Sequence, residues 1–152
     1  MTTLKILSRK QFESYRPTHG AVAISIIDPS EERPDTSAYV DMYPANFYDL
    51  FEDIPGSNLK TISSRDALGI LAFASEYAGH VPEFVIHCHA GISRSVAVGA
   101  ALTTLLPAVF TFDGQSRRDM ETKGNETVYN RILEAETKHG IIKRNWKEAD
   151  HG

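Results

Sequence analysis

The segment Val85-Ile86-His87-Cys88-His89-Ala90-Gly91-Ile92-Ser93-Arg94-Ser95 decides how this chain is read. Upstream of it, Glu83 to His87 is short and apolar around Phe84-Val85-Ile86, the pattern of a buried strand. Downstream, Ser95 to Leu106 is rich in alanine and leucine and must stop as a helix at Pro107. Only a tight loop separates the two. A strand that passes through such a loop straight into a helix predicts an α/β fold.

The same alternation extends outward on both sides. Leu4 to Leu7 predicts a short strand, and Ser8 to Tyr15 a helix whose Ser8 and Gln11 have capping-box spacing. Ala21 to Ile27 is a β-branched apolar run that reads as a buried strand. The Pro/Asp/Glu-rich stretch from Asp28 to Asp35 reads as a surface loop. Phe47 to Phe51 is a weaker strand candidate, ending at Glu52-Asp53-Ile54-Pro55-Gly56. From Ser64 to Tyr77, Ala67, Leu68, Leu71, Ala74 and then Ala78 follow helical spacing, with Ser63 or Ser64 as cap and Gly79 as stop. Helices over about Ser116 to Thr122 and Glu126 to His139 follow, the latter closed by Gly140. The expectation is one domain over residues 1–152, an α/β sandwich with a central, mostly parallel sheet flanked by helices. The polar residues 143–152 read as a fraying tail.

Bulk properties narrow the function. At 152 residues, with 41% hydrophobic and 24% charged residues, the chain has the profile of a globular domain. Its net charge of −4 argues against a global field for nucleic acid or anionic membrane, so any attraction for an anion must be local. The single cysteine excludes an internal disulfide and fits a reducing compartment. Neither a signal-peptide h-region nor an apolar run of membrane-spanning length is present, so a cytoplasmic, soluble monomer is expected.

In the central loop, six backbone N–H groups from His89 to Arg94 can curl around one point above the sulfur of Cys88. The following helix turns its positive end there, Gly91 permits close backbone approach, and Arg94 offers a planar fork matched to two phosphate oxygens. Such surroundings favour a thiolate and hold an oxyanion against it.

The wording His87-Cys88-His89-Ala90-Gly91-Ile92-Ser93-Arg94-Ser95 resembles the signature of the protein tyrosine phosphatases, and most closely that of the small dual-specificity-like members. The resemblance is strict from Val85 to Leu102 and looser from Phe47 to Leu133. It implies a cysteine phosphatase without metal or cofactor that acts on a phosphorylated protein or peptide. In it, Cys88 forms a thiophosphate, Arg94 and the loop residues His89, Ala90, Gly91, Ile92 and Ser93 bind the phosphate, and Ser95 helps the thiolate leave. His87 hydrogen-bonds locally and helps to keep the thiolate formed, and His89 influences ligand preference. A zinc ion on His87 and His89 would fill the phosphate pocket and is not expected.

The family also uses a general-acid aspartate thirty-odd residues before the cysteine in small members. Asp28, Asp35, Asp41, Asp49 and Asp53 are the candidates. Asp53 stands 35 residues before Cys88 at a Pro-Gly turn and is the preferred one, on a mobile loop. Asp28, also at a strand end, is its competitor, and Asp49 reads as structural or solvent-facing. Arg117-Arg118 reads as a solvated helix face, with substrate steering as the alternative. Asn125 reads as a helix cap, and the resemblance adds a brace for the acid or phosphate loop. Tyr39, Tyr43, Phe47, Tyr48 and Phe51 read as packing.

The reaction expected is hydrolysis of phosphate monoesters, first phosphotyrosine, then phosphoserine and phosphothreonine. Two other readings stand beside it. One is a phospho-ligand binding module without turnover, and the other a rhodanese-like sulfur carrier. The intact Cys88, Arg94 and Ser95 speak against the first and the serine of the signature against the second.

Overall fold

The computed structural model describes residues 1–151, with side chains through Trp146. Five strands form one sheet: β1 (Thr2–Ser8), β2 (Val22–Ile27), β3 (Asp41–Asn46), β4 (Glu83–Cys88) and β5 (Phe110–Phe112). Their order is β3-β2-β4-β1-β5, and every neighbouring pair is parallel. The helices are α1 (Arg9–Ser14), α2 (Ser64–Tyr77), α3 (Arg94–Leu105), α4 (Gly114–Glu121), α5 (Glu126–His139) and α6 (Ile141–His151).

Strand alternation divides the side chains between two cores. Leu4 and Ile6 of β1, Val22, Ile24 and Ile26 of β2, and Phe84, Ile86 and Cys88 of β4 join the large core with α2, α3 and α5. Leu7, Ala23 and Val85 face the other way, against Phe12 of α1. β4 is buried at every position. Full burial of each of its large apolar side chains is worth roughly 1.5–3 kcal/mol, which makes this strand the anchor of the sheet.

The parallel sheet collects its functional ends at one edge. Connections leave β2 toward β3 and leave β4 toward β5, so the chain diverges between β2 and β4. The carboxyl ends at such a switch point form the crevice where open α/β sheets take ligands. Asp28 directly follows β2, the 47–54 loop follows β3, and the His89–Ser93 loop follows β4.

Two expectations need correction, and one strand is added to them. The third strand is Asp41–Asn46 and not Phe47–Phe51, which forms the loop beyond it. Pro44 and sparse apolar residues disguise it, and both are tolerated because β3 is an edge strand. β5, three residues long, had no sequence signal. The tail from residue 143 continues in α6, where Ile142 is buried and Trp146 packs on the core; Gly152 lies outside the described residues. No helix among the described residues is long and apolar enough to cross a membrane.

Candidate active site

Cys88 closes β4 at 1% exposure, on the floor of a cavity of about 270 Å³. The cavity is lined from three loops: Asp28; Tyr48, Asp49 and Leu50; and Cys88, His89, Ala90, Ser93 and Arg94. Two groups address the sulfur. The Gly91 N–H lies 3.3 Å from Sγ and the Ser95 hydroxyl oxygen 3.0 Å from it. The N–H groups of Ala90, Ile92 and Ser93 find no protein partner among the described residues.

Gly91 makes the tight loop possible for two reasons. Its φ is +74°, and a Cβ there would stand 2.6 Å from the Ser8 nitrogen. The loop therefore rests directly on the β1–α1 junction, where the Arg9 N–H also donates to the His89 carbonyl at 3.0 Å. Ser8 caps α1 through the reciprocal bonds with Gln11 that the sequence predicts.

Arg94 begins α3 at 4% exposure. Its Nη1 donates to Asp28 Oδ1 at 2.6 Å and to the Phe47 carbonyl at 2.8 Å. Nε and Nη2 make no hydrogen bond among the described residues, so one edge of the guanidinium stays open for two oxygens of a ligand. Ser93, at the cap position of α3, does not cap it. Its hydroxyl donates to Asp49 Oδ1 at 2.8 Å instead, which leaves the first-turn donors of α3 to a ligand.

Asp49 joins the loops. Its Oδ1 also accepts from Asn125 Nδ2 at 2.8 Å, and the same amide donates to the Leu50 carbonyl at 3.1 Å. Asn125 Oδ1 meanwhile caps α5 through the Val128 N–H. Asn125 thus serves both as cap and as brace. Thr127 holds the Phe51 carbonyl at 2.8 Å, which ties the 47–54 loop to α5.

His87 points to the opposite face from Cys88, fully buried and packed on Phe12 with ring centroids 4.2 Å apart. Its Nδ1 lies 3.3 Å from the Cys88 carbonyl, which can only accept, so Nδ1 carries the proton. Burial pushes its pKa down to about 4, so the ring is neutral and Nε2 accepts from Ser25 at 2.6 Å. It acts on the loop through the backbone of Cys88.

The preferred acid lies elsewhere. Asp53 is exposed, does not line the cavity, and accepts the Thr61 N–H at 3.0 Å. Asp35 and Asp41 are engaged with Ser37 and Tyr77. The carboxylates in the cavity wall are Asp28 and Asp49. Sequence reasoning passed over Asp49 because Phe47-Tyr48-Asp49-Leu50-Phe51 imitates a strand. Of the aromatic group, Phe47 is core, Tyr48 lines the cavity and Phe51 is exposed. Arg117 lies over the Phe112 ring, away from the cavity.

Chemically, the arrangement combines a cysteine sulfur with converging donors, a fixed guanidinium edge and a wall carboxylate. That set can cradle a tetrahedral oxyanion and attack it. Compared with models of protein families, with curated proteins and with solved structures, the chain matches none.

Proposed function

We propose that this chain hydrolyses phosphate monoesters, phosphotyrosine in a protein or peptide first among them, through a cysteinyl-phosphate. The observation that carries the reading is the joint placement of Cys88, Arg94 and Asp49 in one cavity, with Ser95 Oγ 3.0 Å from the sulfur. The resemblance of His87 to Ser95 to the tyrosine phosphatase signature supports it.

In the first step the Cys88 thiolate attacks phosphorus in line, and the P–O bond to the leaving group breaks. Arg94 and the loop N–H groups stabilise the charge on the three equatorial oxygens. Asp49 gives the leaving oxygen its proton. A proton on Asp49 Oδ2 leaves both bonds to Oδ1 intact, so the carboxyl is held while it acts. In the second step Asp49 takes a proton from water as the water oxygen attacks phosphorus. The S–P bond breaks, the thiolate departs with the Ser95 hydroxyl donating to it, and inorganic phosphate is released. This reading moves the acid from Asp53 to Asp49, because Asp53 lies outside the cavity and Asp49 lines it with Oδ2 uncommitted among the described residues, whereas Asp28, the other wall carboxylate, is ion-paired with Arg94.

The test is turnover of p-nitrophenyl phosphate in the presence of EDTA. Wild type hydrolyses it and Cys88→Ser does not, while Cys88→Ser still binds inorganic phosphate. Equal activity in the two proteins removes Cys88 as nucleophile.

A further inference from the structure

We propose that Asp28 is a positioning residue that sets the guanidinium of Arg94 before any phosphate arrives. The proposal rests on Arg94 being the phosphate clamp. Asp28 leaves β2 at the mouth of the crevice, and its Oδ1 takes Arg94 Nη1 at 2.6 Å. The Phe47 carbonyl takes the same nitrogen from the side of β3. With Nη1 held twice, the guanidinium cannot rotate about its bond to the side chain, and the Nε–Nη2 edge is the one left to a ligand.

Asp28 is itself held. Its N–H donates to Glu31 Oε1 and its carbonyl accepts the Glu31 N–H, each at 2.9 Å. Glu31 Oε2 lies 3.6 Å from both Arg9 Nη1 and His89 Nδ1. The turn after β2 is therefore held to α1 through Arg9, and the His89 ring of the loop that follows Cys88 lies beside the same carboxylate oxygen. A guanidinium at 4% exposure needs a compensating charge, and Asp28 provides the only carboxylate within ion-pair distance of it among the described residues.

This role and that of proton donor lead to different kinetics. Loss of the positioning carboxylate misplaces Arg94, so the chemical step suffers. It also takes a negative charge out of the cavity wall, so inorganic phosphate binds no less tightly. A lost proton donor would flatten the basic limb of the pH–rate profile instead.

The experiment compares Asp28→Ala, Asp28→Asn and Asp28→Glu with wild type, in native and Arg94→Lys backgrounds. Expected is a fall in kcat of about tenfold or more for Asp28→Ala and a smaller one for Asp28→Asn. Inhibition by phosphate stays undiminished, and the basic limb is retained. In the Arg94→Lys background the further loss from Asp28→Ala disappears, because the two residues act as a unit. Inorganic phosphate should also raise the melting temperature of Asp28→Ala more than that of wild type, since it supplies the missing anion. If Asp28→Ala does not fold, Asp28→Asn carries the same comparison. An unchanged kcat, an undiminished loss in the Arg94→Lys background, or a flattened basic limb in Asp28→Asn overturns the proposal. Absence of ester turnover by wild type would sink the hydrolytic reading alone, and the phosphate melting curves would still decide whether Asp28 and Arg94 are coupled.

Discussion

At the scale of single residues, two aspartates in one cavity wall are proposed to have different duties, and a substitution separates them. Asp49→Asn should lower kcat by about 10²–10⁴, the usual range for a general acid–base, and flatten the basic limb. The defect should be larger on phosphotyrosine than on p-nitrophenyl phosphate, whose leaving group needs a proton less. Asp53→Asn should leave kcat within a few-fold; steady-state kinetics on both esters checks this, and a large loss at Asp53 would return the acid to that loop. His87 gives a prediction on stability. It titrates near 6.5 when unfolded and near 4 when folded, because burial disfavours the imidazolium. Between those values the unfolded chain binds the extra proton, so stability is complete above 6.5 and declines as pH falls toward 4, by ~3 kcal/mol in all. Glu31, Asp35 and Asp113 have pKa values below the usual carboxylate range, so their losses come at lower pH. Urea unfolding at pH 7, 5.5 and 4.5 should show this slope in wild type and a flatter one in His87→Gln. Cys88, Arg94 and Ser95 were legible in the sequence because their spacing is local. Asp28 and Asn125 owe their contacts to residues 66 and 76 positions away in the chain, which no local pattern reports.

At the scale of elements, the β4–loop–α3 unit was readable from end to end, because a buried strand, a glycine and an alanine-rich helix each obey local rules. The loop after β3 was not. Its aromatic run copies a strand, while the true strand hides behind Pro44 at a sheet edge. That one-element displacement set Asp53 at the end of the expected strand and gave Asp49, inside it, a structural or solvent-facing reading. The His89–Ser93 loop depends on its seat against β1, and Gly91 is the point of contact. Gly91→Ala forces a Cβ against the Ser8 nitrogen at positive φ, so the loop must lift from the sheet. A destabilisation of about 1–3 kcal/mol is expected, with loss of phosphate binding greater than the fall in stability alone explains. Chemical denaturation and phosphate titration of the variant check it. A variant that binds phosphate as wild type does would mean that the loop is not held by this contact.

At the scale of the whole molecule, a parallel sheet with a switch point between β2 and β4 gathers the carboxyl ends of its strands at one edge. Composition and the alternation of elements were enough to foresee this class of fold. The strand order was not foreseeable, since it depends on pairings between distant segments. On the proposed function, a chain of net charge −4 holds phosphate through the local cradle alone, so ligation should register as native-state stabilisation. Saturating inorganic phosphate at a hundred times its Kd adds about 2.7 kcal/mol to a protein that binds it only when folded. Wild type and Cys88→Ser should therefore both melt higher in phosphate, and Arg94→Ala should not. The central claim is the covalent one, and it is tested most directly by trapping the intermediate. Asp49→Asn cannot activate water well, so its cysteinyl-phosphate should accumulate when it is mixed with p-nitrophenyl phosphate and quenched rapidly in acid. Mass spectrometry of the digested protein should then find one added phosphoryl group on the peptide that contains Cys88, and none in the Cys88→Ser protein. Continuing turnover with no phosphoryl group on Cys88 at any quench time would contradict the account.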